Sequence, residues 1–161
     1  MTFHNPNLFI VSGGAGSGKT TVLQELARLG FQHAPEIARE IIQEQVKASG
    51  KALPWKDVEA YVHLVLQRSI VSYLRCTSAS TPLSCDRGIP DILCYARRVG
   101  LREHDDIQNA CREYRYALRV FLAPPWKEIY RTDAERKDDF ADAEGTFTQL
   151  ERFIENSATK S

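Results

Sequence analysis

The segment Gly13-Gly14-Ala15-Gly16-Ser17-Gly18-Lys19-Thr20 has the form GxxxxGK[ST]. It lies between the apolar run Leu8-Phe9-Ile10-Val11 and a stretch in which Val22, Leu23, Leu26 and Leu29 recur at helical spacing. No other feature constrains the fold as much. A short apolar run without alternation suits a strand buried on both faces, which a parallel sheet covered by helices provides. A glycine-rich turn from such a strand into a helix gathers backbone N–H groups into an anion-binding concavity at the positive end of the helix dipole. A dinucleotide-binding GxGxxG does not fit, because the glycine spacing is wrong and Lys19 stands where the last glycine would be.

The binding segment is therefore read as Gly13, Gly14, Ala15, Gly16, Ser17, Gly18, Lys19, Thr20 and Thr21, holding the phosphates of a nucleoside triphosphate. The expected ligands are ATP and Mg²⁺. Lys19 is long enough to reach the β and γ phosphates, and the Thr20 hydroxyl is the natural metal ligand.

Beyond Gly30, which suits a helix C-cap, Phe31 to Ala34 is a brief second strand, and Pro35 fits the first turn of a helix carrying Ile37, Ile41, Ile42 and Val46. Pro54 opens a long helix with an apolar stripe from Val58 through Tyr61, Val65 and Ile70 to Leu74. Pro82 to Cys85 leads into Asp86 as a third strand, followed by helices near Pro90 to Val99 and Asp105 to Tyr114. Ala117 to Leu122 is the fourth strand, stopped by Pro124-Pro125. Thr132 and Glu135 have capping-box spacing, Gly145 is expected to interrupt the helical pattern that follows, and Asn156 to Ser161 form a polar tail expected to lack order. Strands alternating with helices predict a three-layer α/β/α architecture, a P-loop NTPase fold with a parallel sheet of four to five strands.

The chain of 161 residues, 43% of them hydrophobic, fits one domain with a continuous core. Lys plus Arg and Asp plus Glu are both 21, so no general attraction to nucleic acid or to a membrane surface is implied, and any phosphate site has to be local. The four cysteines contain no CxxC pair and are read as reduced thiols. The amino terminus lacks the basic residues of a signal peptide and no run is long enough to span a bilayer, so the expected location is cytoplasmic.

Asp86, at the end of the third strand, is where a nucleotide site needs an acid, to hold Mg²⁺ through water or to take a proton from an acceptor hydroxyl; capping the turn near Gly88 is its structural alternative. Arg87 beside it could grip an acceptor. Glu36 and Arg39, at the end of the second strand, open on the same side of the sheet as the phosphate loop, and Asp91 follows Pro90 nearby. Arg131, Arg136 and Lys137 lie in a stretch of about residues 124–145 that could close as a lid and bring positive charge to the transferring phosphoryl group. Asp86, Lys19, Arg131 and Arg136 are the candidate catalytic residues, with Thr20 and Asp86 at the metal and Glu36, Arg39, Arg87 and Asp91 toward the acceptor. The histidines lack informative partners, and Trp55 and Trp126 read as packing residues.

The phosphate loop, the stretch Pro35-Glu36-Ile37-Ala38-Arg39-Glu40, the stretch Asp86-Arg87-Gly88-Ile89-Pro90-Asp91 with Tyr95, and Ala123-Pro124-Pro125-Trp126 through Arg136 and Phe140 together resemble an AAA-type ATP-binding family. That family is grouped with the nicotinamide-riboside kinase domain of NAD-regulator proteins, and its fold is similar to thymidylate and deoxynucleoside kinases. The resemblance covers about residues 7–143 and implies a nucleotide-kinase-like fold. It further implies Glu36 and Arg39 facing the acceptor, Asp86 with Arg87 as an acid–arginine pair, and Arg131 and Arg136 as lid arginines. A ring-forming motor is not implied, since no apolar strand ends in Asp-Glu. The relatives' fifth strand and last helix have no clear counterpart after the lid.

Two functions follow as expectations. One is a small-molecule kinase that phosphorylates a nucleoside-like or other metabolite hydroxyl, and the other is a regulatory ATP- or GTP-binding module acting through a protein partner. A GTPase switch is disfavoured because neither NKxD nor a DxxG after the third strand occurs.

Overall fold

Leu8, Ile10 and Val11 are buried in the middle of a four-stranded sheet, as their unbroken apolar pattern requires. The computed structural model describes residues 1–102, 104–130 and 140–158. Along the chain, β1 (Phe3–His4) and β2 (Leu8–Gly13) precede α1 (Lys19–Arg28), β3 (Gln32–Ala34), α2 (Ile37–Lys47) and α3 (Val58–Cys76). Then come β4 (Leu83–Asp86), α4 (Ile89–Arg98), α5 (Asp105–Glu113), β5 (Tyr114–Arg115), β6 (Val120–Ala123) and α6 (Phe140–Ala158).

The main sheet has the order β3-β4-β2-β6, and every pairing in it is parallel. Val11 lies opposite Asp86, and Gly13 opposite Ala123. The order explains the layers. The connection from β2 to β3 runs toward one edge, whereas those from β3 to β4 and from β4 to β6 run toward the other. Right-handed crossovers then put α1 on one face and α2 to α5 on the opposite face. In agreement, Ile41, Tyr61, Val62, Leu66, Ile89 and Ile92 form one buried cluster drawn from α2, α3 and α4. A second cluster sets Tyr73 of α3 against Leu8, Ala34, Leu83 and Cys85 of the sheet. The fold is the expected three-layer α/β/α P-loop architecture, with the sheet at the lower end of its predicted strand count.

Several boundaries differ from the sequence reading. Pro35 lies ahead of α2, whose N-cap is Glu36, and Pro54 lies in a turn ahead of α3. There Asp57 is the cap, its Oδ1 accepting the Ala60 N–H at 3.0 Å. A side chain that satisfies a free N–H fixes a helix start more strongly than a proline that merely tolerates one. The last strand begins at Val120; Ala117 instead donates its N–H to the Leu8 carbonyl at 2.8 Å, and Leu118 is 88% exposed. Gly145 does not interrupt α6, which runs through it to Ala158. Burial of Ala143 and Leu150 on either side offsets the modest helix penalty of one glycine. Residues 156–158, expected in a tail without order, belong to this helix. The short pair β1–β5 was not anticipated, since two-residue strands carry no periodicity. Thr132, Glu135, Arg131, Arg136 and Lys137 lie outside the described residues.

Candidate functional site

The loop between β2 and α1 needs its glycines for two different reasons. Gly13, Gly16 and Gly18 have φ of 137°, 69° and 84°, conformations that side chains disfavour. Gly14 is needed for closeness: a Cβ there would lie 2.8 Å from the Ala143 carbonyl oxygen and 3.0 Å from its Cα. Helix α6 therefore rests directly on the loop. The Ser17 hydroxyl donates to the Gly14 carbonyl at 2.8 Å, and Lys19 Nζ donates to the carbonyls of Gly13 and Gly14 at 3.2 and 2.9 Å. Lys19 is only 4% exposed, while Thr20 and Thr21 are exposed at the helix start. The first turn of α1 holds no acid, so the positive end of its dipole is uncompensated there.

Beside the loop opens a cleft of about 560 Å³. Ala15 marks its phosphate-loop end; Glu36, Arg39, Asp86 and Arg87 line it, with Ile37, Ile42, Val62 and Ile92 among its apolar surfaces. Asp86 ends β4 and is 8% exposed, and its Oδ1 is buried without a hydrogen-bond partner. Burial and the Glu36 charge push its carboxyl above the usual carboxylate range, against the opposing pull of Lys19 and Arg87. Arg87 follows in the left-handed region at φ 66°, its N–H donating to the Val11 carbonyl at 3.0 Å and its Nε to Glu36 Oε1 at 3.2 Å. The end of β4 and the start of α2 are thus joined across the cleft by an ion pair.

Glu36, Arg39, Asp86, Arg87 and Asp91, five residues singled out from sequence, all reach this one cleft. Both oxygens of Asp91 are engaged. Its Oδ1 accepts from the Ser12 hydroxyl, and its Oδ2 accepts the Gly88 N–H at 2.9 Å, capping α4. Arg131 and Arg136 lie outside the described residues.

The sequence reading missed the aromatic wall. Tyr61 of α3 meets Tyr95 of α4 edge to face with centroids 6.0 Å apart, and both line the cleft. Trp55, read as a packing residue, also lines it and is 41% exposed; Trp126 is 54% exposed. Arg98 stacks over Tyr95 at 5.3 Å and donates to Thr146 of α6. Positions 91, 95 and 98 share a helix face, a spacing visible in the sequence once the cleft is known. Asp142 and Thr146 bring one face of α6 to the same space.

The sequence model of a family described as an AAA domain matches residues 8–159. The chain belongs to that family. The match extends over α6, farther than the 7–143 of the motif resemblance, so this AAA domain includes the helix that covers its own phosphate loop. Comparison with curated proteins gives no match. Family and loop geometry together make the protein a P-loop nucleotide-binding protein.

The donor set also limits how a metal could bind. Among the described residues, no group of three His, Cys, Asp or Glu side chains is arranged to hold an ion. Mg²⁺ keeps several waters and takes one or two protein oxygens together with phosphate. The Thr20 hydroxyl and the orphaned Asp86 oxygen fit that role. All four cysteines are free, and no helix among the described residues is long and apolar enough to cross a membrane.

Proposed function

We propose that this AAA domain is a small-molecule kinase that transfers the γ-phosphoryl group of ATP to a hydroxyl of a nucleoside-like or similar metabolite. The observation that carries the reading is the cleft. It begins at Ala15, passes the Glu36, Asp86 and Arg87 side chains, and continues between aromatic and aliphatic surfaces. A phosphotransferase needs a space for its acceptor beside the loop, and this cleft supplies one.

In this reading the backbone N–H groups of Gly14 to Thr20 and Lys19 hold the β and γ phosphates. Tyr61, Tyr95 and Trp55 enclose the apolar part of the acceptor, and Glu36, Arg39 and Arg87 fix its polar groups. The acceptor hydroxyl oxygen attacks the γ phosphorus, the bond to the β-phosphate bridging oxygen breaks, and ADP leaves with that electron pair. Asp86, whose burial raises its proton affinity, accepts the hydroxyl proton. Mg²⁺, held by the Thr20 hydroxyl and through water by Asp86, would neutralise developing charge on the phosphate oxygens. Arg131 and Arg136 would add positive charge from the lid. Catalysis then rests on positioning and electrostatics.

The test is incubation of the protein with γ-labelled ATP, Mg²⁺ and a pool of nucleosides and other metabolites. A labelled acceptor supports the kinase, and tight ATP binding without transfer sinks it. The seat of α6 on Gly14 favours the second reading, a regulatory module in which nucleotide binding is passed to a partner through that helix.

A further inference from the structure

Ser12 is 1% exposed and is the last residue before the phosphate-loop glycines. From β2 its hydroxyl reaches α4, where it donates to Asp91 Oδ1. Asp91 sits at the third position of α4 and is 9% exposed. One carboxylate oxygen takes the Ser12 hydroxyl; the other takes the Gly88 N–H at 2.9 Å, while the Asp91 N–H returns to the Gly88 carbonyl at 3.1 Å. Arg87 Nη1 lies 3.8 Å from Asp91 Oδ1, and on its other side the same guanidinium holds Glu36.

This arrangement uses a buried charge where a neutral cap would serve. At the third position of a helix the neutral amide of glutamine can close a capping box, without the cost of desolvating a carboxylate. What the charge adds is a second anchor for Arg87, whose backbone is held at φ 66°, a region a non-glycine residue occupies only when its surroundings over-determine it. With Glu36 at Nε and Asp91 at Nη1, the guanidinium is fixed from two sides. A hydrogen bond from Ser12 ties the second anchor to the residue that precedes Gly13 in the chain. The chain of contacts runs Gly13, Ser12, Asp91, Arg87, Glu36, from the phosphate loop to the acceptor side of the cleft.

We infer that Asp91 is a positioning residue: it sets the Arg87 guanidinium relative to the phosphate loop, and acts on the acceptor through Arg87 rather than by touching it. The kinetic part of this inference rests on the kinase reading; the structural part does not. Asp91→Asn is close in shape and keeps an acceptor for the Gly88 N–H, but removes the charge facing Arg87. Ser12→Ala keeps that charge and breaks only the tie to β2.

The experiment uses the full chain with ¹⁵N-labelled arginine, the Arg87 Nε–Hε resonance being assigned by its loss in Arg87→Lys. In Asp91→Asn this resonance shifts and exchanges faster with water, and in Ser12→Ala it moves in the same direction by less. Turnover per folded molecule falls by up to about a hundredfold in Asp91→Asn, as expected for a misplaced reacting partner, while ATP affinity stays close to wild type. A purely structural cap would lower the folded fraction and leave both the resonance and the turnover of folded protein unchanged. An Arg87 signal identical to wild type in both variants overturns the inference. If wild type phosphorylates nothing, the kinase reading falls and the resonance alone decides. If Asp91→Asn does not fold, Ser12→Ala decides by the same signal.

Discussion

Replacing Gly14 by alanine tests the contact on which the placement of α6 depends. The backbone at Gly14 is outside the left-handed region, so alanine is conformationally acceptable and the obstacle is purely one of space. The new Cβ would lie 2.8, 3.0 and 3.2 Å from the carbonyl oxygen, Cα and Cβ of Ala143. Two of these are backbone atoms inside a helix, which cannot rotate aside as a long side chain would. Relief requires α6 to move off the loop, loosening the buried Ala143 and Leu150. Overpacking of this kind costs about 1–3 kcal/mol. Lower unfolded-chain entropy returns about 0.4–1 kcal/mol. The difference runs from about 0 to about 2.6 kcal/mol and centres on about 1.3 kcal/mol, a Tm decrease of roughly 3–5 °C for a chain of this size. Gly145→Ala is the matched control, because a Cβ there meets nothing within 4 Å and the site is inside the same helix. It should stabilise by about 0.5–1 kcal/mol. Urea unfolding without nucleotide measures both. Gly14→Ala as stable as wild type, beside a stabilised Gly145→Ala, would refute the seating of α6 on the loop.

Asp86→Asn should raise Tm while lowering phosphoryl transfer by about a hundredfold or more, because it removes a buried charge with an unpartnered oxygen and also the proposed proton acceptor; lower stability would contradict the burial argument. Burial pushes the Cys85 thiol up to about 12 from its usual 9. The folded state therefore keeps this proton longer than the unfolded one, and the stability it contributes is full below pH 9 and lost as pH rises toward 12. Cys85→Ala should show a shallower alkaline fall in urea midpoint, and a parallel curve would count against it. Arg136→Ala should lower turnover about a hundredfold with ATP binding largely retained, and normal turnover would remove the lid role.

The sequence was most legible where geometry is local. The loop, the strand before it and the helix after it follow from glycine spacing and one apolar run, and Asp86, Arg87 and Glu36 could be placed because parallel strands deliver their ends to one side of the sheet. It was least legible where elements distant in the chain meet. Trp55, Tyr61, Tyr95 and Arg98 form a wall only after α3 and α4 pack, and nothing local to Trp55 separates a cleft lining from a core. The hydrogen bonds of Asp91 were not legible either, because its two partners, Ser12 and Gly88, come from another strand and from its own cap. Gly145 misled for the opposite reason, since local propensity was outweighed by the burial of its helix neighbours.

Lys19 in the loop is already furnished with carbonyl acceptors. Arrival of a polyphosphate is then a trade of partners for this ammonium, and the favourable increment is the difference between two sets of charge-assisted bonds. A loop that supplies its own counter-dipoles keeps its shape when no anion is bound, and discrimination among anions falls mainly to the main-chain donors and the tip of α1.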